Sequence, residues 1–204
     1  MSITINGNGT VTGLAVGGLP NGTVDADTLA ANAVTTNKIA NSAVTPVKST
    51  ITGGISMYDE WRLSASGSGT GTISSNWERN DTNFTNIGSG MTESSGIFTF
   101  PSTGIYLIQY HLLGYRNGDA LFFGNGLYLS TDGGSNWNFL GFSRNANTSG
   151  GDSWASAASF ATVDVTDASN FKIKMNVDTY GTWNWVGYST YHGTCMSFMK
   201  LGET

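Results

Sequence analysis

The segment GIFTFPSTGIYLIQYHLLGY (residues 96–115) holds the longest apolar run in the chain, and it decides the fold that the sequence predicts. Phe98 and Phe100 alternate with polar Thr99, which is typical of a half-buried strand. The Pro-Ser-Thr-Gly segment that follows breaks the run, because proline removes a backbone donor and glycine tolerates left-handed torsions. The segment therefore predicts a strand, a turn and a second strand.

The second predicted strand is apolar on both of its faces. One face carries Ile105, Leu107 and Leu113, and the other carries Tyr106, Ile108, Tyr110 and Leu112. A strand buried on both faces lies at the centre of a sandwich or at an interface between subunits. A buried helix is the alternative, but aromatic and β-branched residues between two turn motifs favour the strand.

Three segments in the right order resemble a known fold. GIFTFPSTGIYLI (residues 96–108) resembles the strand–turn–strand signature of complement-type globular heads and other tumour-necrosis-factor-like jelly rolls. Residues 163–177 resemble two later strands of that family, and TCMSFMKL (residues 194–201) resembles its closing strand. The resemblance covers roughly residues 58–204. It implies a jelly-roll head that forms a homotrimer about its own axis.

The composition excludes several classes of protein. Only 11% of the 204 residues are charged, against roughly 25% in an average globular domain. Disorder is excluded because it needs few aromatic residues, and this chain has six Trp, eight Tyr and ten Phe. The net charge of −5 argues against a groove that binds nucleic acid by neutralising phosphates.

Cysteine use and hydropathy indicate where the protein folds. A single cysteine, Cys195, rules out a disulfide within the chain. The N-terminus has no basic, apolar secretion signal, and no run approaches the roughly 18 apolar residues of a membrane span. We therefore expect folding in a cytoplasm, no membrane insertion, and release by a route other than secretion, such as lysis of the cell.

Residues 1–22 are predicted to be an N-terminal anchor and joint. Residues 2–12 alternate apolar and polar side chains around two Asn-Gly pairs, the strongest short hairpin motif. A single hairpin is marginally stable alone, so we expect it to add to another protein, as an anchor to a larger particle, or to copies of itself. The alternative is a frayed tail.

A ten-residue repeat follows, and residues 23–57 are predicted to be a stalk and neck. Its apolar positions are Val24, Leu29, Val34, Ile39 and Val44. Two apolar side chains per unit are too few for a core, so such units stack or wind with copies. The pattern resembles repeats in the stalks of fibres of bacteriophages, especially marine ones, which implies that these five residues face a three-fold axis. An Ala/Thr/Asn-rich linker is the alternative.

In residues 58–204 turn motifs recur every eight to twelve residues, which predicts an all-β sandwich or barrel. The resemblance to tumour-necrosis-factor-like heads implies that this domain is a jelly-roll β-sandwich. YDEWRL (residues 58–63) is the predicted first strand. Trp77, Phe84 and Ile87 are expected to anchor the core.

The sequence offers little catalytic chemistry. Residues 130–137 match the Asp-box pattern of sialidases, but a single copy favours a hairpin in which Asp132 caps a turn above Trp137. His192 and Cys195 have an odd spacing, which places them on opposite faces of a strand, and His111 is expected to be packed. We expect no enzyme, no catalytic residue, no metal site and no cofactor. Calcium bound by acidic residues, as in some complement-type heads, is left open.

Aromatic residues mixed with Asn, Thr and Ser in residues 178–193 suggest sugar recognition. Rings stack on CH groups of a sugar, and the polar side chains bond its hydroxyls. Trp183 and Trp185 share a face if the segment is extended. The same rings fit a core or a trimer contact. The candidate receptor-contact residues are Trp154, Tyr180, Trp183, Trp185, Tyr188 and Tyr191.

Taken together, the sequence predicts a bacteriophage virion structural protein, a short trimeric tail fibre whose head binds a glycan on the host surface. The alternative is a capsid decoration protein or head fibre, anchored to the capsid by its N-terminus.

Overall fold

The computed structural model describes residues 4–5, 11–12, 33–35, 39–40, 54–118, 120–147 and 151–204. The chain divides into two units, Met1–Thr52 and Gly53–Thr204. Among the described residues every regular element is a β-strand, so the predicted all-β class is confirmed. The predicted domain boundaries, 1–22, 23–57 and 58–204, stay predictions.

The first unit contains an antiparallel strand pair, β1 (Thr4–Ile5) and β2 (Val11–Thr12). The pair fits the predicted N-terminal hairpin, and its residues 6–10 lie outside the described ones. Its role as an anchor stays a prediction.

The stalk residues are described only in part. The side chains of Val34 and Ile39 are 54% and 40% exposed in the single chain. Val24, Leu29 and Val44 lie outside the described residues. The predicted three-fold axis therefore stays a prediction.

The second unit is a jelly-roll sandwich of two antiparallel sheets. The β13 sheet has the order β7-β8-β13-β10-β11, with β5 also paired to β13. The β9 sheet has the order β4-β14-β9-β15-β3-β6, with β12 also paired to β9. The strands are β3 (Tyr58–Leu63), β4 (Gly67–Ser68), β5 (Gly71–Thr72), β6 (Trp77–Arg79), β7 (Thr92–Ser94), β8 (Ile97–Thr99), β9 (Gly104–Asn117), β10 (Ala120–Ser130), β11 (Asn138–Asn147), β12 (Asp152–Val165), β13 (Lys172–Tyr180), β14 (Asn184–Trp185) and β15 (Cys195–Gly202).

Strand β9 is the centre of its sheet. It pairs with β12 along its whole length on one edge and with β15 and β14 on the other edge. The predicted alternation is confirmed, since one face is buried in the core and the other is half-buried on the outer surface. The helix alternative for residues 96–115 is wrong. The core face consists of Tyr106, Ile108, Tyr110 and Leu112.

Aromatic rings fill the space between the two sheets. The ring centroid of Phe98 lies 5.6 Å from Trp61, 5.4 Å from Trp77 and 5.2 Å from Phe198. Tilted and edge-on pairs of this kind each add about 0.5–1.5 kcal/mol beyond the burial of apolar area. Trp77 therefore packs against the core as predicted.

Ile87 does not anchor the core, and this expectation was wrong. Its backbone forms a two-way bridge to Tyr58, with N···O distances of 3.2 and 2.8 Å. The bridge holds the main chain at the edge of β3 and leaves the Ile87 side chain exposed.

Buried Arg62 of β3 forms hydrogen bonds to β6, to the residues that follow β6, and to the loop after β14. It donates hydrogen bonds to Glu78 of β6 (2.7 Å), to Asn80 (2.7 Å) and to Asp81 (2.6 Å). It also donates to the carbonyl of Ser189. A buried guanidinium needs such partners, because an unpaired buried charge is strongly destabilising. Arg62 thus fixes the loop that follows β14.

Candidate functional site

The outer face of the β9 sheet, turned away from the core, carries apolar side chains that the core does not bury. The strand register places Met199, Leu107 and Thr162 side by side across β15, β9 and β12. Phe160 lies in the next row and is 75% exposed. Exposed apolar groups of this size usually mark a protein–protein contact. We call Ile105, Leu107, Leu113, Phe160 and Met199 the apolar face.

A polar group formed by Tyr58, Glu60, His111 and Cys195 borders the apolar face. The Tyr58 hydroxyl donates to Oε1 of Glu60 at 2.5 Å. Burial, together with this hydrogen bond, raises the pKa of Tyr58 to about 12. Burial and the charge of Glu60 raise the pKa of the Cys195 thiol to about 11. Tyr58 and Cys195 are therefore uncharged at neutral pH.

Cys195 lies directly opposite His111 in the strand register, a pairing that the sequence did not predict. His111 Nδ1 is 2.9 Å from the Gly193 carbonyl oxygen. His192 lies in the preceding loop, where its Nε2 is 3.7 Å from Glu60 Oε2. A nucleophilic cysteine needs a lowered pKa, and that of Cys195 is raised. The thiol is not activated for nucleophilic chemistry.

The other end of the same outer face holds a cavity of about 390 Å³, which we call the Trp154 pocket. Its lining residues are Ser66, Tyr115, Trp154, Asn184, Val186 and Tyr188. Trp154 is 58% exposed, and its ring centroid is 5.0 Å from that of Tyr115. A hydrogen bond from Tyr115 to the Asp152 carboxylate, together with partial burial, raises the pKa of the Tyr115 hydroxyl. The pocket combines ring faces with amide and hydroxyl groups.

Strand register explains how distant residues meet at this pocket. Trp154 of β12 pairs with Tyr115 of β9, and Tyr115 also pairs with Asn184 of β14. Alternation along β12 turns Trp154 and Phe160 to the same face, six positions or roughly 20 Å apart. Strand β3 begins at Tyr58, beside Met199. The chain therefore enters the sandwich at the end opposite the Trp154 pocket.

Three of the six predicted receptor-contact residues lie at or beside this pocket. Trp154 and Tyr188 line it, and Tyr191 stacks on Tyr188 with ring centroids 4.1 Å apart. The half-buried ring of Trp185 packs against the core and covers Gly67, where a Cβ atom would lie 2.7 Å from the ring. Tyr180 lies on the other sheet, beside Phe122.

The prediction that Trp183 contacts a receptor is wrong, because its side chain lies in the core. Its side chain is 1% exposed, and its ring centroid lies 4.7 Å from that of Phe123. Trp183 and Trp185 share a face as predicted, but that face is turned inward. Receptor contact by the remaining candidates stays a prediction.

The sequence missed Tyr115, Asn184 and Ser66 as pocket residues. The alternation of Leu113 and Tyr115 along β9 places both on the outer face. That Tyr115 meets Trp154 depends on which strand pairs with β9, which a single sequence does not reveal.

Neither a metal site nor a membrane-crossing helix occurs in the part of the chain that the structure describes. Within it, no three His, Cys, Asp or Glu side chains come close enough to hold a metal ion. No helix there is long and apolar enough to span a bilayer.

Comparison with known proteins supports the fold. The chain is similar to murine APRIL at pH 5.0, with a TM-score of 0.53 and 16% identity, covering 71% of this chain and 98% of that one. It is also similar to Eiger TNF from S. frugiperda, with a TM-score of 0.56 and 11% identity, covering 72% of this chain and 93% of that one. No family model and no curated protein matches the sequence. The head therefore has a tumour-necrosis-factor-like jelly-roll fold.

Proposed function

We propose that this chain is a homotrimeric virion structural protein of a bacteriophage, a short tail fibre whose head attaches to a glycan on the host surface. The observation that carries the proposal is the apolar face of the β9 sheet. Phe160, 75% exposed in the single chain, would become buried if two further copies pack around a shared axis. The resemblance of the sequence to trimeric jelly-roll heads supports the same arrangement.

The polar group beside the apolar face is suited to burial between copies. Tyr58 and Cys195 stay uncharged at neutral pH, since their pKa values are raised to about 12 and about 11. Glu60 accepts hydrogen bonds from Tyr58 and from the Asn80 side chain. Burying this polar group therefore has a low desolvation cost, because its carboxylate, that of Glu60, keeps its hydrogen-bond partners.

The Trp154 pocket supports glycan attachment by its position and its chemistry. It lies at the end of the head opposite Tyr58, where the chain enters. Trp154 and Tyr188 offer ring faces on which sugar CH groups can stack, and Asn184 and Ser66 offer hydrogen bonds to hydroxyls.

The first unit is proposed to connect the head to the particle. Val34 and Ile39 are exposed in the single chain, as expected for side chains that become buried only against copies of themselves. Residues 1–22 would bind other virion proteins. The same arrangement serves a capsid decoration protein or head fibre, so the location on the particle separates the two functions.

The test measures the mass of the full chain by native mass spectrometry, for the wild type and two variants. We expect a trimer for the wild type and for Trp154→Ala, and dissociation for Phe160→Asp, because a carboxylate would be buried beside its copies. Trp154→Ala should lose binding to host cells. Circular dichroism verifies that each variant is folded.

A folded wild-type chain that stays monomeric at high concentration would contradict the proposal. If the wild type is a trimer, bacteriophage particles that carry the labelled chain are examined by cryo-electron microscopy to locate it. Label on the tail supports the tail fibre, whereas label on capsid faces or vertices favours the decoration protein.

A further inference from the structure

The outer face of the β13 sheet carries a second group of exposed aromatic rings, on the opposite side of the sandwich from the apolar face. Along β10, Phe122 and Tyr128 point outward with two glycines, Gly124 and Gly126, between them. The residues that alternate with them, including Phe123 and Leu127, are buried in the core. The middle of this strand therefore carries no outward side chain of its own between the two rings. We call this the glycine trough.

The neighbouring strands form the walls of the glycine trough. In register, Gly126 lies between Phe142 of β11 and Asn176 of β13. Gly124 lies between Arg144 of β11 and Asp178 of β13. The resulting cavity has a volume of about 210 Å³. Four of its lining residues are Tyr128, Phe139, Phe142 and Arg144.

The two glycines are required by the groups that surround them. A Cβ atom on Gly124 would lie 2.6 Å from Cγ of Arg144, whose side chain crosses above β10 to reach Asp178. A Cβ atom on Gly126 would lie 3.0 Å from the Phe139 ring and 3.1 Å from the Tyr128 ring. Any larger residue at these positions would fill the trough.

Arg144 is held in one orientation by a carboxylate and by two rings. Its Nε donates to Oδ2 of Asp178 at 2.8 Å. Its guanidinium carbon lies 4.6 Å from the ring centroid of Phe122 and 5.1 Å from that of Phe142. Such a fixed pair offers donors and acceptors in defined directions while its charges offset each other.

We infer that the glycine trough binds neutral oligosaccharides built of pyranose rings. Phe142 is 59% exposed and Phe139 is 53% exposed, so part of each ring is accessible to the CH groups of a sugar although Arg144 covers one face of Phe142. The Arg144–Asp178 pair and Asn176 can hydrogen-bond ring hydroxyls. The offset charges of the pair favour a neutral ligand over an anionic one.

A protein partner fits the trough less well than a sugar does. The outward-facing rows at Gly124 and Gly126 contain Phe142, Asn176 and the Arg144–Asp178 pair. The centre of a protein-binding surface is usually depleted of charged residues such as Asp, whereas Asp178 lies in the middle of this trough. Because the Arg144 side chain crosses above Gly124, the ligand would occupy the cavity of about 210 Å³ around Gly126 rather than the whole length of β10. This inference does not depend on the Trp154 pocket.

The test is isothermal titration calorimetry of the full chain with cellohexaose, maltohexaose and N-acetylchitohexaose, and with a galacturonate hexamer as the acidic probe. We expect binding of at least one neutral probe. Phe142→Ala and Asp178→Ala should each weaken it about tenfold, because the first removes a stacking group and the second removes a hydrogen-bonding group. Leu201→Ala, which removes an exposed side chain that lines neither cavity, should leave this affinity unchanged, and Trp154→Ala measures any binding at the other pocket. Thermal unfolding verifies that all variants are folded.

Several outcomes would overturn the inference. These are failure of every neutral probe to bind, binding of the acidic probe alone, and binding of a host protein without any oligosaccharide. Loss of neutral-sugar binding in Trp154→Ala but not in Phe142→Ala would assign the sugar to the Trp154 pocket instead. By contrast, loss of host-cell binding by Trp154→Ala together with unchanged sugar binding at the trough would support both binding sites.

Discussion

Asp132 illustrates how a single carboxylate fixes a turn in this sandwich. Its Oδ1 accepts hydrogen bonds from the Ser130 hydroxyl at 2.7 Å and from the backbone N–H of Asn136 at 2.9 Å. Its Oδ2 accepts a bond from the Asn136 side chain at 2.7 Å. These hydrogen bonds, led by those from Asn136, lower the pKa of Asp132 from 3.8 to about 2. The Asp-box pattern therefore serves as a turn between β10 and β11, as the sequence indicates.

Acid should weaken this turn in a defined pH range. Because the folded-state pKa is lowered, the contribution of Asp132 is present above the unfolded pKa of 3.8 and is lost as the pH falls towards 2. We expect Asp132→Asn to flatten this part of the fall in melting temperature, measured by circular dichroism from pH 5 to 2. Equal slopes for the two proteins would contradict the assignment.

At the scale of the element, β9 shows how closely strand and core fit. A Cβ atom on Gly114 would overlap the ring of Phe123, which itself packs on Trp183. The strand therefore needs a glycine where this ring crosses it. By contrast, a Cβ atom on Gly141 of β11 would meet nothing within 4 Å.

These two glycines form a matched pair for mutation. We expect Gly114→Ala to lower the free energy of unfolding by about 1–3 kcal/mol, because the Phe123 ring must move. Gly141→Ala should change it by less than about 0.5 kcal/mol, since the methyl group meets open space. Urea unfolding at one fixed protein concentration measures both, since assembly would make stability depend on concentration. Equal effects would show that the core yields at Gly114.

Alternation within a strand was predictable from the sequence, whereas pairing between strands was not. The pattern of residues 105–112 correctly divided the side chains between two faces of the strand, but it did not show which face meets the core. The sequence also contains the period-two series Phe122, Gly124, Gly126 and Tyr128. This series forms a trough only because β11 and β13 supply side chains on both sides of it. Arg144 and Asp178 are 34 positions apart, and only the order β11-β10-β13 brings them together. Likewise, the spacing of two tryptophans predicted a shared face without showing that it turns inward.

At the scale of the whole molecule, each unit leaves apolar groups uncovered in a single chain. Phe160 in the head is 75% exposed, and Val34 in the first unit is 54% exposed. The proposed trimer accounts for both, because two further copies would cover them. Head and stalk would then stabilise the same assembly.

The stalk contribution can be tested separately from the head. We expect Leu29→Asp combined with Ile39→Asp to weaken the trimer, because each carboxylate would be buried beside two copies of itself. Thr35→Asp is the control, since Thr35 is expected to face solvent. Light scattering over a dilution series measures the mass. An unchanged trimer in the double variant would show that residues 23–57 do not stabilise the trimer. The apolar face of the head would then be the contact that does.

The pairing of β3 with β15 decides where the head can carry added cargo. Tyr58 at the beginning of β3 lies beside Met199 near the end of β15. A fluorescent tag fused after Thr204 would therefore emerge beside Tyr58, at the end of the head opposite the Trp154 pocket. To display a peptide at the opposite end, the graft belongs just before β12, because this strand begins at Asp152, two residues before Trp154.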